Sequence, residues 1–291
     1  ALGCAWRDLP RDEAGSAEGG LPLTSLLLLV TALLCYGLAL TRGSPLGVWP
    51  GIGALVAMVL FVRADSGARR PLLPLALLGA SRRRGGIIAS ALVASVMVAT
   101  LLIGPFYLHG AFALDMGTVG LMISMGPLLA ALSGMPAGWL VDRVGATPVV
   151  RLGLGLMVVA AVLLALLDRA LGPLGYLLPI LLLTAGYALF QTANNSAVVG
   201  EVEGASRGAV AGLLTLSRNL GQLTGAAGLG GLFAALAGRP DLALATADEL
   251  AFATRATFAL TALLLMSALW LAGRGERAVQ DDAARDGCES G

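Results

Sequence analysis

Apolar residues gather into eight long runs separated by short polar or basic connectors. The runs are 21–40, 47–63, 87–108, 118–141, 149–167, 175–198, 208–236 and 252–272. Each reaches the roughly 17–25 residues with which a helix crosses ~30 Å of hydrocarbon. They are Leu-rich and apolar on every side, which predicts helices embedded in lipid rather than amphipathic surface helices. Barrel strands would be about half as long and would alternate in polarity. The expected fold is therefore all-α integral membrane, with eight transmembrane helices.

Composition agrees with the pattern. Hydrophobic residues make up 57% of the chain and charged residues 13%, against about 25% charged in a soluble domain. A disordered chain, a soluble enzyme and a nucleic-acid-binding module are excluded. All 19 basic residues are Arg and they nearly balance 18 acidic ones, so their placement matters more than their sum. If the eight spans alternate, fourteen Arg fall on one face, including Arg63, Arg69, Arg70, Arg82, Arg83, Arg84, Arg143 and Arg151. Four fall on the other: Arg42, Arg169, Arg239 and Arg255. The positive-inside rule then places both ends of this chain in the cytoplasm, in a cell (plasma or inner) membrane. The clusters anchor topology; at Arg82–Arg84 a lipid-headgroup site is the alternative.

The connectors divide the chain. Residues 1–20 read as a cytoplasmic connector, and 21–63 as two accessory helices. Residues 64–85 form a basic cytoplasmic linker holding Pro71 and Pro74, which oppose a continuous helix. Residues 86–272 form a six-helix bundle, and 273–291 are expected to be a disordered cytoplasmic tail. The chain opens on Ala rather than Met, so it is expected to be a fragment without an N-terminal half. One His and three Cys suggest neither a metal nor another cofactor, and disulfides are not expected in a reducing compartment.

The most informative connector joins spans four and five, Gly134-Met-Pro-Ala-Gly138-Trp-Leu-Val-Asp142-Arg143-Val-Gly145-Ala-Thr-Pro148. Gly134 and Gly138 have the small-xxx-small spacing that lets helix backbones approach. Gly145 permits a left-handed turn, and Pro148 suits the first turn of the next helix. Gly138, Asp142, Arg143 and Gly145 resemble, position by position, the cytoplasmic-loop signature of the major facilitator superfamily. That resemblance implies a conformational latch stabilising one access state. The family usually carries basic residues directly after the last Gly; here Ala146 and Thr147 stand there, with Arg151 nearby. Without the resemblance, the same stretch reads as a tight turn with one snorkelled Arg.

Polar residues inside the spans are the remaining candidates. Gln191, Asn194 and Asn195 in span six follow i, i+3, i+4 spacing and so share a helix face. They either line a substrate cavity or bond between helices. Arg218 lies well inside span seven, where an unpaired Arg costs roughly 2.5–3.5 kcal/mol on insertion scales. It must snorkel, or face a cavity or a partner. Gly208/Gly212 and Gly221/Gly225 predict close packing of that span. Asp115 reads as the N-cap of span four or as a proton-coupling carboxylate. His109 and Tyr107 read as interfacial anchors. Met122, Met125 and Met135 are candidate cavity contacts or plain packing.

Arg218-Asn-Leu-Gly221 resembles the penultimate helix of the fourteen-helix drug/proton antiporters of that superfamily, as does the acidic loop ending in Arg207-Gly208. Two helices, a basic linker with Pro-Leu-Leu-Pro, and six further helices resemble spans seven to fourteen of that branch. The first six-helix bundle and its antiporter signature are missing. The resemblance implies a secondary transporter exporting drugs or secondary metabolites against protons by alternating access, not an enzyme. Its partners would be the lipid bilayer, a small amphipathic organic substrate, protons and the missing N-terminal half, with no nucleic acid. A nutrient uniporter or symporter and a non-transporting scaffold or sensor are the alternatives. A membrane enzyme is disfavoured because the spans hold almost no His, Asp, Glu or Cys.

Overall fold

Every apolar run becomes a helix in the computed structural model, which describes residues 23–41, 48–67, 81–200, 202, 206–238 and 242–289. The helices are α1 (Leu23–Thr41), α2 (Val48–Ser66), α3 (Ser81–Phe112), α4 (Met116–Val144), α5 (Ala146–Ala165), α6 (Gly172–Val199), α7 (Ser206–Leu236) and α8 (Ala247–Glu289). No strand occurs among the described residues. Seven of these helices are long and apolar enough to cross a membrane. The additional one, α7, has 31 residues but is rich in Gly and carries Arg207 and Arg218. The chain is a multi-pass membrane protein.

It divides into two compact units, Ala1–Leu72 and Leu73–Gly291. In the first, α1 and α2 pack as a pair. A Cβ placed on Gly53 would lie 3.5 Å from Cys35 Sγ, and one on Gly51 would lie 3.8 Å from Ala39 Cβ. Small side chains thus let the two backbones come close. The connector 42–47 and most of the proposed linker lie outside the described residues. The end of that linker, from Ser81, is the first turn of α3, so this helix begins six residues earlier than its apolar run.

The second unit is a six-helix bundle with α3 at its centre. Val93, Val96, Ala99 and Ile103 of α3 are fully buried. They join Leu154, Met157 and Leu164 of α5 and Phe258 and Leu265 of α8 in one core. Lipid tails are as apolar as Leu, so such helices associate through close packing rather than through exclusion of water. Two crossings are tight. At α5–α6, a Cβ on Gly153 would stand 2.7 Å from the Gly186 carbonyl oxygen. At α3–α7, a Cβ on Gly225 would stand 2.5 Å from Ser95 Cα. Hydroxyl bonds accompany the second crossing. Ser95 Oγ donates to the Gly221 carbonyl at 2.7 Å, and Ser217 Oγ donates to that of Ile87 at 2.6 Å. Gly221 and Gly225 therefore do what their spacing predicts.

Gly134/Gly138 and Gly208/Gly212 do not: a Cβ at any of the four would meet nothing within 4 Å. Their spacing puts them on one helix face, but no other described helix lies against that face.

Helix ends follow local chemistry. Asp115 caps α4, accepting from Thr118 N at 2.9 Å and from Thr118 Oγ1 at 2.7 Å. Thr246 and Glu249 form a reciprocal capping box at the start of α8. Near that end Arg169 pairs with Asp248 and also donates to the Ala111 carbonyl. At the opposite end of the bundle, Arg207 Nε donates to the Val202 carbonyl, closing the turn from α6 to α7. The helix α8 continues to Glu289, past Gly273, where the sequence reading starts a disordered tail. The Ala, Arg, Gln and Glu residues of that stretch are good helix formers despite their charge.

Candidate functional site

Four helices of the bundle, α3, α4, α6 and α7, surround a cavity of about 230 Å³. Met97, Thr100 and Leu101 line it from α3, Met122, Ile123 and Pro127 from α4, Tyr176, Ile180, Thr184 and Tyr187 from α6, and Gln222 from α7. The wall is mostly aliphatic, with a few hydroxyls and one amide. Such a surface suits the apolar body of an organic molecule, oriented by few polar contacts. Tyr176 of the lining joins an aromatic cluster: it lies 5.3 Å from Tyr107, which meets Phe112 edge-on at 5.4 Å. Pro127 and Pro136 interrupt the backbone bonding of α4, and Pro179 that of α6. Within a membrane such breaks are tolerated where neighbouring protein or a cavity covers them.

Of the proposed methionine contacts, Met122 lines the cavity. Met125 and Met135 are exposed on the outer side of α4.

The polar residues of α6 divide between two neighbours. Asn194 is 3% exposed, and its Nδ2 donates to the Gly86 carbonyl of α3 at 3.1 Å. It is an interhelical tie, and it does not line the cavity. Asn195 turns toward α7, where it lines an open groove of about 420 Å³ with Ser196, Thr215 and Arg218. Gln191 stands between Asn195 and Tyr187 along α6, one turn from each, and Tyr187 lines the apolar cavity. The polar row on α6 is thus Tyr187, Gln191 and Asn195, at i, i+4 and i+8. Facing it on α7 are Thr215, Arg218 and Gln222, at i, i+3 and i+7. The sequence reading missed Tyr187, Thr215 and Gln222. The four-residue step from Gln191 back to Tyr187 and from Arg218 on to Gln222 is the signal that locates them.

Arg218 is half-buried, and its Nη2 donates to Thr215 Oγ1 at 3.2 Å. Among the described residues of its groove there is no carboxylate. Asp115 stands apart from this cluster. The hydroxyl and then the N–H of Thr118 hold its carboxyl below the ordinary range. An acid held ionised in this way serves as a cap. No group of three His, Cys, Asp or Glu with metal-binding geometry occurs among the described residues.

The connector between α4 and α5 is a single residue. Gly145 ends one helix and begins the next at φ 88°, ψ 159°, and its N–H bonds the Val141 carbonyl at 2.9 Å. That backbone region is essentially restricted to Gly. Arg143 stacks its guanidinium over Trp139 at 5.2 Å, and Asp142 is exposed beside it. Gly138 lies on the open side of α4. These four residues form a continuous, uncovered corner of the bundle.

Comparison with known proteins places this geometry. Residues 15–226 match the model of the Major Facilitator Superfamily. The chain is 29% identical over 234 residues to the uncharacterized transporter YebQ of Escherichia coli (strain K12), covering 78% of this chain and 51% of that protein. It is 28% identical over 229 residues to the riboflavin transporter RibZ of Clostridioides difficile (strain 630), covering 78% of this chain and 50% of that one. The chain thus spans about half the length of these relatives.

Proposed function

Because the chain belongs to the Major Facilitator Superfamily, we propose that it forms the C-terminal part of a secondary transporter of the fourteen-helix drug/proton antiporter type. It supplies one wall of a central cavity and two accessory helices. The other wall comes from a six-helix N-terminal half. The substrate is a small amphipathic organic molecule, exported against protons by alternating access. The Arg distribution orients the protein with both ends of this chain in the cytoplasm of the cell membrane.

One observation carries the reading. The cavity among α3, α4, α6 and α7 is apolar and bears Tyr, Thr and Gln contacts. The Gly138–Gly145 corner acts as the latch, because a one-residue connector transmits any tilt of α4 directly to α5. Two related transporters, one named for riboflavin, support small-molecule transport and leave the direction to experiment.

The test uses membrane vesicles containing the protein and a panel of fluorescent amphipathic dyes. Dye movement should require a proton gradient and should fall at least tenfold in Asp142→Asn at equal membrane abundance. Movement that persists after the gradient is collapsed overturns proton antiport. Normal movement by Asp142→Asn overturns the latch.

A further inference from the structure

We propose that the facing rows Tyr187/Gln191/Asn195 and Thr215/Arg218/Gln222 form a recognition site for the anionic end of the substrate, so that this cavity selects amphipathic organic anions. The inference rests on the transport reading above and names its substrate class. Arg218 lies 12 residues into the 31-residue helix α7, roughly 18 Å along its axis at 1.5 Å per residue. That is near the middle of the helix, in an open groove that also takes in Val199 and Gly200 at the end of α6. A guanidinium is always charged, and in a membrane it needs either water or an opposite charge.

Apart from Arg218, the described residues lining the groove are neutral. Thr215 Oγ1 accepts one of its five N–H bonds, and the groove beside it is lined by Asn195, Ser196, Ala211, Leu214 and the α6 terminus. The guanidinium borders open space of about 420 Å³. The polar side chains nearby can donate or accept, so they can extend hydrogen bonding to a carboxylate or sulfonate without competing for its charge. Helical spacing links the two spaces: Tyr187 lines the apolar cavity, and Asn195, two turns further along α6, lines the groove with Arg218. Gln222, one turn along from Arg218, lines the same cavity. An elongated molecule can therefore set an aromatic or aliphatic body against Met97, Met122 and Ile180 while its anionic end meets Arg218.

The experiment measures binding to the protein in nanodiscs with three probes sharing one apolar body: pyrenebutyrate, pyrenebutanol and pyrenebutylamine. The expected order is anion, then alcohol, then amine, with about tenfold or more between anion and alcohol from a charge-assisted hydrogen bond. Arg218→Ala should abolish that preference, bringing the affinity for the anion to within about twofold of that for the alcohol. Arg218→Lys should retain part of it, because it keeps the charge and loses the fork. Thermal unfolding of each variant verifies folding, and Gln222→Ala supplies a second perturbation that leaves the charge in place. Alcohol binding with no preference for the anion overturns this proposal and leaves the cavity reading intact. Unchanged preference in Arg218→Ala also overturns it. Failure of all three probes to bind overturns both.

Discussion

Gly221→Ala and Gly212→Ala make the same change on one helix, yet they should have opposite effects. A Cβ at Gly221 falls on the Ala91 carbonyl oxygen and 2.8 Å from Ala91 C and Cα. All three are backbone atoms, so no side-chain rotation relieves the overlap, and α3 and α7 must separate. Overpacking of this kind costs about 1–3 kcal/mol, and rigid backbone partners favour the upper end. Separation also strains the bond from Ser95 Oγ to Gly221 O, where a transmembrane interhelical bond contributes about 0.6 kcal/mol on average. The gain in helix propensity from Gly to Ala is roughly 1 kcal/mol. The net expectation for Gly221→Ala is a loss of about 2–3 kcal/mol. Gly212→Ala meets nothing within 4 Å and retains only the propensity gain. The assay is denaturant unfolding in mixed micelles, followed by far-UV circular dichroism. Stabilities of the two variants within about 0.5 kcal/mol of each other would refute the reasoning.

Other expectations follow from single positions. Gly145→Ala places a Cβ at φ 88°, ψ 159° with only Pro148 Cδ nearby, 4.0 Å away. The cost is therefore conformational, about 1–3 kcal/mol, read as a lowered melting temperature that Gly145→Asn does not rescue. Asn194→Ala removes the donor to the Gly86 carbonyl and should lower stability by about 1–3 kcal/mol; Asn195→Ala should leave stability nearly unchanged and weaken binding of the anionic probe. Asp115 has a depressed folded pKa. Its contribution is present above the unfolded value of about 3.9 and is lost as pH falls through the lower folded one. Asp115→Asn should therefore leave the transport profile between about pH 5 and 8 unchanged, and a shifted midpoint in that window would assign Asp115 a coupling role.

The helices themselves were legible because lipid imposes one rule on every spanning segment: enough apolar residues, with backbone bonds satisfied internally. Gly145 and the Asp115 cap were legible for a similar reason, since both are local and depend on a few bonded neighbours. What was illegible depended on which neighbour a face meets. The same spacing placed Gly221/Gly225 against α3 and left Gly134/Gly138 open. Asn194 and Asn195 are adjacent and chemically identical. A turn of about 100° separates them, which sends one into α3 and the other toward Arg218. Sequence periodicity defines a face but carries no information about its occupant. The α3 start at Ser81 was missed because Arg82–Arg84 end the apolar run without ending the helix.

The hydrogen bonds that join helices have one more consequence. Ser95, Ser217 and Asn194 each connect α3 to α6 or α7. Among the described residues, the side-chain hydrogen bonds of α4 stay within its own span and cap. Tilting α4 thus breaks no polar tie, only dispersion contacts that re-form gradually as the helix slides. Of the four helices around the cavity, three are tied by hydrogen bonds and α4 is held by packing and its one-residue connector, so α4 is the side on which the width of the space can change at least cost.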